Sequence, residues 1–132
     1  MHGIIFMQLQ KFVEINYDSQ TWQTLLKNSD LSHRIYLPFK QYPDEDVVDI
    51  VTEASKATGI PVETLLESFG QFVVGDLVKL YGSFIRREWR TLDLIENTEE
   101  MVHKALRKRD PNAKPPVLSC LRQNANSLIV IY

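Results

Sequence analysis

A single cysteine, Cys120, serves the whole chain. One thiol excludes an internal disulfide framework and any cysteine-built zinc site within one chain. Glycine is scarce as well, at five residues, and none of them forms a phosphate-cradling loop or a nucleophile elbow, so kinase and classical hydrolase chemistry have no support. The three histidines, His2, His33 and His103, stand too far apart in sequence to pair at metal-ligand spacing. Long hydrophobic runs are missing too. The apolar residues 3–7 give way to Gln8, Gln10 and Lys11, and this opening has neither the length of a membrane span nor the small-residue cleavage site of a secretory leader. The chain therefore reads as cytoplasmic, with no membrane partner. Nor does one sign of charge dominate: the formal net charge is −2 with 24% charged residues, which argues against both disorder and a global affinity for nucleic acid. No internal repeat or low-complexity segment is visible.

What is present fits one domain: 132 residues, 44% of them hydrophobic, can bury a core but do not divide comfortably in two. Ile5, Leu9, Phe12 and Val13, joined by Ile4, Phe6 and Met7, predict a first helix from His2 to about Ile15 that is buried on much of its circumference. Asp18 or Ser19 caps a second, short helix carrying Trp22, Leu25 and Leu26 on one face and running out near Asn28. Residues 34–39 read as an extended connector stopped by Pro38. Pro43, followed by Asp44, Glu45 and Asp46, opens a third helix with a Val47, Val48, Ile50, Val51, Ala54 face. The three acidic residues are expected to serve the helix dipole and solvent, since they lack the Asp-x-Asp-x-Asp-Gly spacing of a calcium loop. Gly59 ends that helix and Pro61 opens a fourth, in which Gly70 and Gly75 permit a bend or a close helix contact.

Past Gly82, Leu92, Ile95, Val102 and Leu106 form a helical stripe interrupted by Glu99, and His103 sits at its edge. Asp110, Pro111 and the pair Pro115, Pro116 stop this helix. "VLSCLR" and "SLIVIY" then predict two strands around a "QNAN" turn, with Cys120 either a small buried strand residue or a redox-sensing thiol. A two-stranded hairpin is marginal alone and leaves an open edge, so the chain is expected to be shorter than the fold it encodes. The fold class is α+β: a helical N-terminal subdomain (residues 1–60), then helices packed on a small antiparallel sheet that looks incomplete (residues 61–132), within a single domain 1–132.

His103 carries the chemical question. A lone imidazole is a poor zinc site but suffices for haem iron, because the porphyrin supplies four nitrogens. Flanked by Glu99 at i−4 and Arg107 at i+4, it reads by spacing alone first as a solvated or half-buried helix residue, ahead of a haem ligand. Lys104, Arg107, Lys108 and Arg109 are a charged face suited to a helix C-terminus, or a contact for phosphate or an acidic partner.

Several stretches resemble one family, the H-NOX (haem nitric-oxide/oxygen-binding, HNOB) domains, over essentially the whole chain. "MHGIIF" is similar to the family's opening of Met, a variable residue, Gly and an apolar run; "TWQTLL" and "FGQFVV" resemble its second helix and its Phe-Gly-x-aromatic segment. In "VHKALRKRDPNAKPP" the histidine stands twelve residues before the proline pair, as in the family, and a strand with a cysteine and a strand ending in tyrosine follow. The resemblance implies haem b (iron protoporphyrin IX) ligated by His103, with Pro116 and Ile5 pressing on the porphyrin and Tyr132 standing for the tyrosine of the Tyr-x-Ser-x-Arg motif that holds the propionates. The sequence ends at Tyr132, so the motif's serine and arginine are not in it.

By the same resemblance the chain is a haem-based gas sensor rather than an enzyme. It binds nitric oxide, and carbon monoxide as a second diatomic ligand, and signals through cleavage of the iron–histidine bond and flattening of the haem. A histidine kinase or a cyclic-nucleotide enzyme would be its partner. No confident distal hydrogen-bond donor is visible; Tyr17, Trp22 and Tyr42 read as core or boundary residues. Two rival readings are a truncated, haem-free helical interaction module and a nucleic-acid binder using Arg86, Arg87, Arg90 and the basic run, the latter opposed by the negative net charge.

Overall fold

The N-terminal apolar spacing becomes helix α1, Gly3–Asn16, in the computed structural model, which describes residues 1–109, 111 and 113–132. Asp110, expected to help stop the long helix, lies outside the described residues. Phe6, Leu9 and Val13 recur at helical spacing on the buried face of α1. Phe6 stacks on Tyr36 with ring centroids 4.2 Å apart and meets Tyr42 edge-on at 5.5 Å. Such ring pairs add about 0.5–1.5 kcal/mol beyond the area they bury. Gly3 is buried because the 37–42 loop lies directly against it. A Cβ there would collide with the Leu37 carbonyl oxygen and sit 2.9 Å from Tyr42 Cε2.

Helix α2, Ser19–Asn28, is started by Asp18, whose carboxylate accepts from the Thr21 N–H at 2.6 Å and from the Thr21 hydroxyl at 2.8 Å. Trp22, Leu25 and Leu26 face the core as expected. Helix α3, Glu45–Thr58, begins two residues after Pro43 and ends at Gly59, whose φ of 72° is the left-handed conformation that only glycine adopts cheaply. The acidic cluster departs from expectation at one position. Asp46 is only 4% exposed; it accepts a hydrogen bond from the Tyr36 hydroxyl at 3.0 Å and lies 3.2 Å from Arg34 Nε. Arg34 and Tyr36 precede α3 in an irregular segment, and that is why no periodic pattern revealed the pairing.

Helix α4, Val62–Leu80, follows Pro61 and runs through Gly70 and Gly75. An added Cβ at either glycine meets nothing within 4 Å, so neither marks a close helix contact. The chain forms two compact units, Met1–Gly75 and Asp76–Tyr132, with α4 crossing the boundary. The first unit keeps the start of α4 because Phe12 of α1 packs on Phe69 and Phe72 at 5.8 and 5.3 Å. Within it, Leu9, Val13, Leu25, Ile50, Val51 and Phe69 are among the residues around an apolar cavity of ≈ 50 Å³.

The second unit opens with a short 3₁₀ turn, Gly82–Phe84, and then one helical rod in three parts: α5, Thr91–Thr98, a π-helical turn, Glu99–His103, and α6, Lys104–Arg109. Strands β1, Ser119–Asn124, and β2, Ser127–Ile131, pair antiparallel with Cys120 opposite Val130 and Leu121 opposite Ile129. The ladder breaks its register between Arg122 and Asn124, where the Asn124 side chain accepts from the Asn126 N–H at 2.9 Å to close the turn. The architecture is α+β, with helices and a small antiparallel sheet that has two strands among the described residues.

Candidate functional site

The rod that carries His103 is not a regular α-helix. At Glu99–His103 the Lys104 N–H bonds to the Glu99 carbonyl, five residues back, and the turn is π-helical. Such turns are rare and concentrate at functional sites, because they insert one extra residue and redirect the side chains that follow. The local sequence favours the distortion. Asn97 Nδ2 donates to the Asp93 carbonyl at 2.8 Å and the Thr98 hydroxyl to the Leu94 carbonyl at 2.7 Å, so side chains compete for the carbonyls just ahead of the π turn.

His103 is mostly enclosed, with 14% of its side chain exposed, and its Nδ1 lies 3.2 Å from Glu99 Oε2. The same Oε2 accepts the Leu118 backbone N–H at 3.0 Å, while Oε1 is paired with Arg107. Burial pushes the Glu99 carboxyl up, but the Leu118 N–H, the Arg107 guanidinium and His103 together outweigh it and hold it below the usual glutamate range. An ionised carboxylate only accepts. The tautomer with the proton on Nδ1 is the one that lets His103 donate to Glu99, and Nε2 has no hydrogen bond to it among the described residues.

Arg107 also donates to the Pro115 carbonyl at 3.4 Å. Glu99 and Arg107 thus hold residues 115–118, which contain Pro116, against the turn bearing His103. Pro116 itself is exposed beside that anchor. Tyr132 follows the last paired residue of β2; Ile131 faces Ser119 across the ladder, and the Tyr132 side chain is 92% exposed. Ile5 lies half-buried on α1 in the first unit. Of the four residues singled out from the sequence, His103 and Pro116 are therefore brought to one place by bonds within the second unit.

Two parts of this arrangement escaped the sequence reading. Glu99 was visible as the i−4 neighbour of His103, but nothing in the pattern announced the π turn or the bond to Leu118. Arg122 was missed altogether: from β1 it donates to Asp93 at 2.6 Å and Glu96 at 2.8 Å, tying the hairpin to α5. Cys120, also on β1, is half-buried, and its Sγ lies 3.8 Å from the Ile95 carbonyl. The basic run is partly spent on its own helix, since Lys104 pairs with Glu100 and Arg107 with Glu99. Trp22 is core, and Tyr42 donates to the Ile35 carbonyl and accepts the Leu37 N–H, each at 2.7 Å. Tyr17 is exposed.

Among the described residues no group of three or more His, Cys, Asp and Glu side chains could hold a bare metal ion, and no helix is long and apolar enough to cross a membrane. One axial histidine is what haem asks of a protein, and an imidazole fixed through Nδ1 with an open Nε2 fits that demand.

The profile of the haem-NO-binding (HNOB) family matches residues 2–132, and the chain belongs to that family. It is similar to two Drosophila melanogaster proteins, soluble guanylate cyclases 89Db and 89Da, at 22% and 23% identity over its whole length, and spans 20% of the length of each. Among solved structures, an H-NOX protein from S. oneidensis in the Fe(II)NO ligation state superposes with a TM-score of 0.86 at 21% identity, over 98% of this chain and 72% of that one. The unliganded Fe(II) H-NOX protein from K. algicida gives 0.84 at 20% identity, over 98% and 71%. The fold is that of an H-NOX domain, a haem-based gas-sensing fold.

Proposed function

We propose that the chain is a haem-based sensor of nitric oxide, able also to take carbon monoxide, in which His103 is the protein ligand to ferrous haem b. The observation that supports this most directly is the state of His103 itself. Its ring is enclosed, its Nδ1 lies 3.2 Å from Glu99 Oε2, and Nε2 has no hydrogen-bonding partner among the described residues. Bound haem would supply the iron that takes up the gas, with His103 as its protein ligand.

The chain's own residues do the rest. Pro116, in the 115–118 segment tied to Glu99 and Arg107, and Ile5, on α1, are the residues we assign to pressing on the porphyrin. Tyr132 would offer its hydroxyl to a propionate. Because the His103 ring is tied to Glu99, a movement of that ring would pull on both Leu118 and Arg107. A signal follows if the two positions of that turn favour different arrangements of the chain. The reader of the signal would be a histidine kinase or a cyclic-nucleotide enzyme, in the cytoplasm, separate from this domain or fused to it. The domain's work is sensing rather than catalysis.

The test is an absorption spectrum of the haem-reconstituted protein, reduced without oxygen and then exposed to nitric oxide. A stoichiometric Soret band that shifts with the gas and is altered by His103→Ala is expected. Absence of retained haem, or a spectrum indifferent to His103→Ala, would overturn the proposal.

A further inference from the structure

The contact that the sensor reading leaves unexplained is Glu99. A histidine that must be released would be served by a loosely held ring, yet this one is gripped through Nδ1 by a carboxylate that is itself immobilised. Glu99 Oε2 lies 3.2 Å from His103 Nδ1 and accepts the Leu118 N–H at 3.0 Å, and Oε1 is held by Arg107. Three partners from three places fix its rotation: the π turn, the next turn of the rod, and the strand entry nineteen residues on. A carboxylate hydrogen-bonded to the distal nitrogen of a ligating imidazole raises its basicity and orients its ring, and loss of such a partner commonly weakens metal affinity about 10- to 100-fold.

We propose that Glu99 is a positioning residue that strengthens His103 as an iron ligand, so that nitric oxide displaces the histidine less readily than it would without Glu99. The proposal rests on the haem reading above, and it goes further by setting the threshold of the switch. Arg107 acts in the opposite sense, because its guanidinium draws charge from the same carboxylate and so moderates the grip. The linkage also has a mechanical consequence. Since Glu99 Oε2 is shared between His103 and Leu118, any displacement of the ring is passed to the segment that carries Pro116.

Three variants test this: Glu99→Gln, which keeps an acceptor but removes the charge, Glu99→Leu, which removes both, and Arg107→Gln. Circular dichroism establishes that each is folded. In the haem-free proteins, ¹⁵N NMR of the His103 ring should show the proton on Nδ1 in the parent and a changed tautomer balance in Glu99→Leu. In the ferrous haem proteins, resonance Raman should show the iron–histidine stretch falling from parent to Glu99→Gln to Glu99→Leu, and not falling in Arg107→Gln. Titration with nitric oxide should leave a larger fraction of five-coordinate, histidine-free haem in the two Glu99 variants. Haem affinity in Glu99→Leu should fall about 10-fold or more.

A purely structural role for Glu99 would lower stability in all three variants without ordering the stretch by carboxylate charge. If His103→Ala abolishes the parent's haem signature while the Glu99 variants keep the parent's stretch and coordination, the Glu99 proposal is refuted and the sensor reading stands. If the parent shows no His103-dependent haem spectrum, both fall. An unaltered His103 tautomer in Glu99→Leu would refute the hydrogen bond without any haem present.

Discussion

Gly3→Ala should cost far more than a single methyl group normally does, and the structure gives the reason. The new Cβ would run into the Leu37 carbonyl oxygen, which is backbone, and would stand 2.9 Å from the Leu37 carbonyl carbon and from Tyr42 Cε2. That loop is poorly placed to retreat. The Gly3 N–H donates to the Lys40 carbonyl at 2.8 Å, the Lys40 N–H to the Leu37 carbonyl at 3.1 Å, and the Tyr42 hydroxyl bridges the Leu37 N–H and the Ile35 carbonyl at 2.7 Å each. Moving the loop by the required distance forfeits one or two of these bonds, at about 1 kcal/mol each. Overpacking against what remains adds about 1–3 kcal/mol. The better helix propensity of alanine returns at most about 1 kcal/mol. The net loss is therefore about 1–4 kcal/mol, or roughly 4–15 °C in the unfolding midpoint for a chain of this length. Gly70→Ala is the internal control: it sits inside α4 with nothing within 4 Å of the added atom, and should be neutral or stabilising by up to about 1 kcal/mol. Urea and thermal unfolding followed by circular dichroism would compare the two. A Gly3→Ala protein within about 0.5 kcal/mol of the parent would refute the close-approach argument, since that is the ordinary range for a surface substitution.

Three further outcomes can be checked in solution. Asp46→Ala, which strands the Tyr36 hydroxyl and removes the ion partner of the partly exposed Arg34, should destabilise more than Tyr36→Phe, which removes only the hydroxyl at a cost of about 1–3 kcal/mol; equal effects in chemical denaturation would contradict the distinction between a lost charge partner and a lost hydrogen bond. The Asp18 carboxyl is held below its ordinary value of 3.8 by the Thr21 N–H and hydroxyl, so its contribution is complete above that value and is lost as pH falls through the depressed one. Asp18→Asn should keep the cap while flattening that acid limb of the stability curve, and an unchanged limb would remove Asp18 as its source. Burial and the Asp46 hydrogen bond raise the Tyr36 hydroxyl, and burial raises that of Tyr81, so in an alkaline absorbance titration these two should ionise above the ordinary tyrosine value of 10. Their neutral forms support the fold below the ordinary tyrosine value of 10, and that support fades as pH climbs through the raised values; ionisation of both Tyr36 and Tyr81 at the ordinary value in the folded protein would contradict the burial.

The helices were legible where burial repeats at a helical period and caps stand at the ends. Phe6, Leu9 and Val13 announced α1, Asp18 the start of α2, and Gly59 the end of α3, because each acts through neighbours a few residues away. Asp46 was not legible for the converse reason. In sequence it is the last of three acids at a helix start, indistinguishable from Asp44 and Glu45, and only the return of an irregular segment carrying Arg34 and Tyr36 makes it a core residue. Arg122 behaves the same way: its two carboxylate partners lie 26 and 29 residues back, beyond the reach of any periodic pattern.

His103 stands between these cases, and the difference bears on what a motif can mean. Its spacing to the proline pair places a histidine in the family's position, but spacing says nothing about how tightly the ring is held. That tightness is decided by the π turn, by a backbone N–H at Leu118 and by a guanidinium at Arg107, of which only the last is readable as an i+4 neighbour. A ligand residue can therefore be shared across a family while its hold on the ligand is set chain by chain, through partners that the shared motif does not contain. For a switch that works by releasing a bond, the strength of that bond fixes the response. On the proposed reading, Glu99 is thus where this chain's own sensitivity should be sought, more than in His103 itself.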